Sequence, residues 1–332
     1  MPEPKLTGFW SRLSQVVYMV SFVLKRGALA LFTLLFIICL TYILMDTVPG
    51  GPFLGEKAIS ARVLQELERK YGLDKPLPVQ IKNYIFSLVK GDLGVSLRMQ
   101  KNRPVATIIK EMFPVSAKVG AISIIWAVIA GISFGCLAAY WRGKWPDSLL
   151  QVITTLGIAF PSFVTATALL ILFAGGVFKI FPTSGLSQGP LSFVLPCFTL
   201  GLVPMCSIAR YTRSSMLEVL SKPYIKTVRS YGLPVPMIIF RHALRNALIP
   251  VVSYMGPMIA AVLTGGFVVE SVFNIPGLGR YFIQSISNRD YPIIMGTTIF
   301  FAALVILMSF TVDVIYRIID PRIQIDNEPG RG

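Results

Sequence analysis

Charged side chains are scarce in this sequence. They make up 14% of its 332 residues, against about 25% in an ordinary soluble domain, while 54% of the residues are hydrophobic. That shortage excludes a soluble globular protein of this length. It equally excludes a disordered chain, which needs low hydrophobicity. Acid is scarcer than base: 16 Asp and Glu stand against 31 Lys and Arg, for a net charge of +15. On a soluble fold such a balance suggests nucleic acid. On a membrane protein it records orientation, because Lys and Arg gather on the cytoplasmic side. No nucleic-acid partner is therefore expected.

Reactive chemistry is scarce too. Histidine occurs once, at His242. A Ser-His-Asp arrangement would have to use it, and no G-x-S-x-G elbow is present. No catalytic residue is assigned, and the chain reads as something other than an enzyme. Cys39, Cys136, Cys197 and Cys206 all lie in apolar runs without C-x-x-C spacing. They read as small buried side chains, so no metal site and no disulfide is assigned. Gly143-Lys144 lacks the preceding glycines of a P-loop and is followed by Trp145, so no ATP site and no cofactor is expected on this chain. Gly277-Leu278-Gly279 lacks the third glycine of a dinucleotide motif and reads as a turn.

What is present is a series of long apolar runs. A spanning helix needs about 20 mostly apolar residues. Six runs meet that need: 27–46, 115–141 (uncharged from Val119), 149–177 interrupted by Pro161, 191–209 with Pro196 and Pro204 inside it, 247–269, and 293–316. The fold class is thus an all-α polytopic membrane protein, with both termini on one side. Gly131 and Gly135 form a G-x-x-x-G spacing in the second span, which reads as a close helix contact.

Basic residues set the orientation. A cytoplasmic N-terminus puts Lys5, Arg12, Lys25 and Arg26 inside, with Arg142 and Lys144, seven basic residues of loop 210–246, and Arg317, Arg322 and Arg331 of tail 317–332. That is more than half of the 31 basic residues, against three in the short outer loops, so both termini are expected in the cytoplasm. Residues 1–26 form an N-terminal segment whose stretch 9–24 reads as an interfacial helix along the inner leaflet, before the chain turns inward. Residues 47–114 form a small external subdomain. Within it, 60–71 reads as a helix with Ser60 as N-cap, and 79–90 as a second ended by Gly91. Residues 270–292 form the other sizeable external loop.

The span interiors carry no central charge. A charged group there costs roughly 2.5–3.5 kcal/mol on insertion scales and marks an ion path or voltage sensor. Asp313 stands four residues before Arg317 near a span end, which suits a local pair. With no central carboxylate, arginine ladder or T-V-G-Y-G filter, the protein is either a passive membrane component or one driven from outside its own chain.

Loop 210–246 is the most informative segment. Its only acid is Glu218, and Pro223, Gly232, Pro234 and Pro236 punctuate it. Leu217, Leu220 and Tyr224 stand at helical spacing, and a short helix ending at Gly232 fits, since glycine tolerates the left-handed conformation of many helix ends. Read from the residues alone, the segment either lies on anionic lipid or docks on a soluble partner.

Loop and flanks resemble the cytoplasmic coupling loop of bacterial ABC-importer permeases. Gly232 takes that family's glycine position, while Lys226-Thr227-Val228 stands in place of E-A-A and His242-Ala243-Leu244-Arg245 in place of I-x-L-P. The stretches 224–233 and 242–250 are similar to the peptide/nickel subfamily's version, where a basic residue replaces the glutamate. Gly91-Asp92-Leu93-Gly94-Val95-Ser96, Phe181-Pro182-Thr183-Ser184-Gly185, 273–279, Asn288-Arg289-Asp290-Tyr291-Pro292 and Asp320-Pro321-Arg322 resemble further elements of that subfamily. The resemblance covers 19–324, and 48–53 and 113–118 look most like the first permease subunit of oligopeptide importers.

The resemblance implies six transmembrane helices of the ABC type I importer permease kind, in the bacterial cytoplasmic membrane. It implies a second homologous permease, two ABC ATPases that bind ATP and Mg, an extracytoplasmic peptide-binding protein, and membrane lipids as partners. Tyr224, Ile225, Lys226, Thr227, Arg229 and Gly232 become the expected ATPase-coupling residues. Gly91, Asp92, Gly94, Pro276, Gly277, Gly279, Arg289 and Asp290 become the residues expected to face the binding protein. No substrate-contact residue is assigned. Importers of dipeptides or nickel chelates, and a non-transporting membrane scaffold, are the competing readings.

Overall fold

A computed structural model of the chain describes residues 7–47, 65–66, 69, 72–186 and 189–319. All but residues 65, 66 and 69 of the expected helix over 60–71, the segments 48–53 and 320–322, and the tail beyond 319 lie outside the described residues. Helices dominate: α1 (Thr7–Thr47), α2 (Leu77–Val89), α3 (Val105–Tyr140), α4 (Trp145–Ala159), α5 (Ser162–Leu170), α6 (Val194–Ser221), α7 (Pro223–Ser230), α8 (Ile249–Gly265), α9 (Phe267–Val272), α10 (Leu278–Ser287) and α11 (Tyr291–Ile319). Five segments of the described residues are long and apolar enough to cross a membrane, and a bent pair, α4 with Ser162–Gly175, makes a sixth. Large apolar side chains such as Leu29, Phe32, Ile125, Ile129 and Val152 are exposed on these helices, as lipid-facing surface requires.

Several element ends differ from expectation, each for a local reason. The sequence puts a turn near Lys25-Arg26, whereas α1 runs unbroken through it for 41 residues, about 60 Å. Gly27 is the weak helix former there, and one glycine costs only about 1 kcal/mol. The second span starts at Val105 rather than 115, because Pro104 is extended and begins the helix while Pro114 is absorbed inside it. The third span is broken outright. Phe160, the residue before Pro161, is extended, as steric clash with the proline ring favours, and the two halves meet at 102°. Helix α6 passes the expected end at 209 and continues to Ser221, stopping where Lys222 is forced extended before Pro223. Leu217 and Leu220 therefore lie on α6 and Tyr224 on α7, not on one helix.

The packing centre is the α3–α6 contact. A Cβ at Gly131 would lie 2.8 Å from the Met205 carbonyl oxygen and from Ile208, and one at Gly135 would lie 2.7 Å from the Ala209 carbonyl oxygen. Both glycines of the G-x-x-x-G spacing thus serve a close backbone approach. Three of the four cysteines, Cys136, Cys197 and Cys206, are buried, and Cys39 is half-buried. Gly131→Leu should push α3 away from α6 and cost about 1–3 kcal/mol, the usual range for overpacking. Thermal unfolding of the purified protein in detergent checks this; an unchanged midpoint would contradict the close contact.

Candidate functional site: the surface between spans four and five

Helix α7 is rooted on one side and bare on the other. Ile225 is fully buried in a cluster with Met216 and Val219 of α6 and with Ile238, Ile239 and Ala243 from the segment that leads to α8. Tyr224, Lys226, Thr227 and Arg229 are exposed around it. Asn246 donates from Nδ2 to the Tyr224 hydroxyl at 2.9 Å, tying the helix to the base of α8. Pro223 opens α7, its missing N–H costing nothing in the first turn. Gly232 closes it with φ at +75°, donating its N–H to the Arg229 carbonyl at 3.0 Å. Nothing lies within 4 Å of where its Cβ would be, so backbone conformation and not space calls for glycine here. Beyond it the backbone makes a π-helical turn over Ile238–Ala243, a form common at functional sites. Glu218 accepts from Lys222 Nζ at 2.9 Å, and that hydrogen bond raises the lysine above its ordinary pKa.

A second constellation lies at the opposite end. Asp290 is fully buried and accepts four hydrogen bonds: from Ser96 Oγ at 2.6 Å and from the N–H groups of Leu97, Arg98 and Met99 at 2.9–3.2 Å. The two motifs, 91–96 and 288–292, therefore clasp each other. Asp92 Oδ1 accepts from the Gly94 N–H at 2.8 Å to shape the first of them. Beside the clasp, the first turn of α10 is capped from a distance. Leu278 N–H donates to Ser116 Oγ at 2.8 Å, and the Gly279 and Arg280 N–H groups donate to the Glu270 carboxylate, Arg280 at 3.0 Å. Ser116 also bonds Glu270, which is 3% exposed. Two orphan donors of the helix start, those of Gly279 and Arg280, hold the buried carboxylate together with Ser116, at the positive end of the helix dipole.

Residues 131–325 match the family described as binding-protein-dependent transport system inner membrane component, and residues 19–120 match the N-terminal region of such components. The dipeptide transport system permease protein DppB of Bacillus subtilis is 42% identical over 307 residues, covering 92% of this chain and 99% of the relative. The oligopeptide transport system permease protein OppB of Salmonella typhimurium is 41% identical over 307 residues, covering 92% and 100%. The chain belongs to this family. Among solved structures, two inward-facing forms of the MetNI methionine ABC transporter align with TM-scores of 0.51 and 0.53. Identity is 16% and 17%, with 65% and 64% of this chain covered, and 97% and 96% of theirs; at that identity they show the fold alone.

Membership makes the chain the membrane component of an ABC importer, a permease subunit and not an enzyme, with an ATPase and a binding protein as implied partners. The matches, 19–120 and 131–325, begin and end close to the 19–324 over which the sequence resembles ABC-importer permeases.

The structure redistributes the expected site residues. Ile225 is buried and forms the root of α7, because on a short helix one face must be buried to hold the rest out. Asp290 does not face outward either, since a carboxylate taking four donors must sit among them. Gly277 and Gly279 are buried as well. A Cβ on Gly277 would collide with the Glu270 carboxylate, and one on Gly279 would lie 2.8 Å from the Phe267 Cα. Gly91, Asp92 and Pro276 are exposed, while Gly94 and Arg289 are half-buried. Among the described residues, no group of three or more His, Cys, Asp or Glu is placed to hold a metal ion.

Residues that sequence reasoning missed are Glu270, Ser116 and the pair Asp147–Arg213. Arg213 Nε donates to Asp147 Oδ1 at 2.7 Å and its Nη2 to Oδ2 at 2.8 Å. Asp147 stands among Arg142 and Lys144, where it passes for a loop charge closing a span. The available signal was a lone acid in the first turn of a helix opened by Pro146.

Proposed function

We propose that this chain is one permease half of an ATP-driven importer of oligopeptides, delivered from outside by a peptide-binding protein. The observation that carries the reading is the exposed ring of Tyr224, Lys226, Thr227 and Arg229 on a helix rooted by Ile225, in a chain whose relatives are oligopeptide and dipeptide permease proteins. A second, homologous permease completes the pathway as a heterodimer. Two ABC ATPases, carrying ATP and Mg, dock on α7 from the cytoplasm. The chain itself needs no cofactor. It lies in the bacterial cytoplasmic membrane among its lipids, with both termini in the cytoplasm, an orientation supported by the basic residues of 210–246.

The mechanics follow from the packing. ATPase closure moves α7 as a body, and because Ile225 is locked against Met216, Val219, Ile238 and Ile239, the motion passes to α6 and to the base of α8. Such coupling is a two-state element biased by nucleotide. A dipeptide substrate is the second reading, favoured by the Bacillus subtilis dipeptide permease at 42% identity.

The reading is tested in proteoliposomes holding the complete importer: peptide-loaded binding protein should stimulate both ATP hydrolysis and uptake. Gly232→Trp forces a bulky side chain into a positive-φ position, at a backbone cost of roughly 1–2 kcal/mol. It should leave the complex assembled and hydrolysing ATP while uptake falls severalfold. Undiminished uptake by the purified variant complex would count against α7 as the docking element.

A further inference from the structure

A cavity of about 1020 Å³ opens between the outer part of α3 and the segment leading into α6, the upper end of the usual size for a small-ligand pocket. Its floor is built. Trp126 stacks on Phe198, rings 5.3 Å apart and 7° from parallel. The indole N–H donates to the Cys197 carbonyl at 2.8 Å, so the floor presents no unsatisfied donor. Gly201 makes room for the ring, since a Cβ there would come within 2.7 Å of Trp126 Cε2. Phe193 forms one wall. Among the described residues that line it, Lys118 alone is charged, and its Nζ lies 4.8 Å from the centre of the Phe193 ring. Lys118 is exposed and stands next to Val119, where the uncharged run of the second span begins.

One cation above an aromatic floor selects a ligand with one anion and an apolar body. Peptides of any sequence share a C-terminal carboxylate, and a floor of two stacked rings accepts many side chains. The amino end would be repelled by the same lysine. We propose that this cavity receives the C-terminal end of the incoming peptide, with the carboxylate on Lys118 Nζ and the last side chain on Trp126 and Phe198. The assignment rests on the peptide-importer reading and adds to it the group that the permease recognises. Lys acts here as a point charge, and the charge-assisted hydrogen bond it offers is of the stronger kind.

The test uses the complete importer in proteoliposomes, with binding protein saturated by Ala-Ala-Phe or by the same peptide as its C-terminal amide. Lys118→Gln should lower uptake of the free acid about tenfold, the size of one hydrogen bond to a charged group, and leave the amide unchanged. Lys118→Arg should restore most of the loss. The binding protein is the same throughout, so its own preference cancels when variants are compared. An equal loss for both peptides, or no loss for either, would overturn the assignment. Loss of the second permease from the purified Lys118→Gln complex would also overturn it, marking the cavity as a subunit interface. If the wild-type complex imports neither peptide under ATP, the importer reading itself falls, and this assignment with it.

Discussion

Asp290→Ala is expected to open the clasp between 91–96 and 288–292. The carboxylate is fully buried and takes Ser96 Oγ and three successive N–H groups, those of Leu97, Arg98 and Met99. Its removal orphans donors that cost about 1–3 kcal/mol each, partly recovered by entering water, for a net loss on the order of 3–5 kcal/mol. Asp290→Asn keeps one acceptor oxygen and should lose about half as much. The amides of Leu97, Arg98 and Met99 should exchange with solvent much faster in the Ala variant, while amides in the middle of α3 and α6 keep their protection. Unchanged exchange at those three positions would mean that the clasp does not hold the loop. The same variant should weaken peptide uptake, since the clasp fixes the 91–104 segment against the start of α11. Val105 N–H bonds the Gly94 carbonyl at 3.0 Å, continuing the tie into α3.

The spans were legible in the sequence because hydrophobic length is a strong signal: all six expected runs correspond to apolar helices or, at Pro161, to a bent pair. The end of α7 was legible for the same kind of reason. A positive-φ position calls for glycine, and Gly232 supplies it. The G-x-x-x-G contact was legible as a spacing, but only the structure pairs Gly131 with Ile208 and Gly135 with Thr212. Where α6 ends was not legible from apolarity, since Arg210, Arg213 and Glu218 are good helix formers that merely leave the hydrocarbon. The direction of a polar side chain was least legible. Asp290 and Arg289 adjoin in one motif, yet one is buried and the other half-buried. Glu270 looks like a charge at a span end until the first turn of α10 is found folded back on it. Such partners are 10 to 194 residues apart, and no local pattern in one sequence reports them.

Arg213→Met should be the most damaging single change where α4 meets α6. Asp147 has a side chain only 3% exposed, with Arg213 at 24%, and the guanidinium meets both of its oxygens. Gly143 N–H at 3.0 Å and Gln151 Nε2 at 3.1 Å complete its shell. Without Arg213 a buried carboxylate keeps only those two neutral donors, and breaking a buried pair from one side costs about 3–5 kcal/mol. Removing both charges, as Asp147→Asn with Arg213→Met, should cost clearly less than the sum of the single changes, because the uncompensated charge is gone. A double-mutant cycle on thermal stability measures the difference; simple additivity would mean that the pair is not coupled. The functional effect should run further than stability. Arg213 lies on the stretch of α6 that ends at α7, and Asp147 fixes that stretch to α4, the first half of the broken span. With the tie cut, α6 can yield when α7 is pushed. ATP hydrolysis should then persist while uptake falls, and the double variant should show the same uncoupling despite its better stability. Restored coupling in the double variant would instead assign the pair to folding alone.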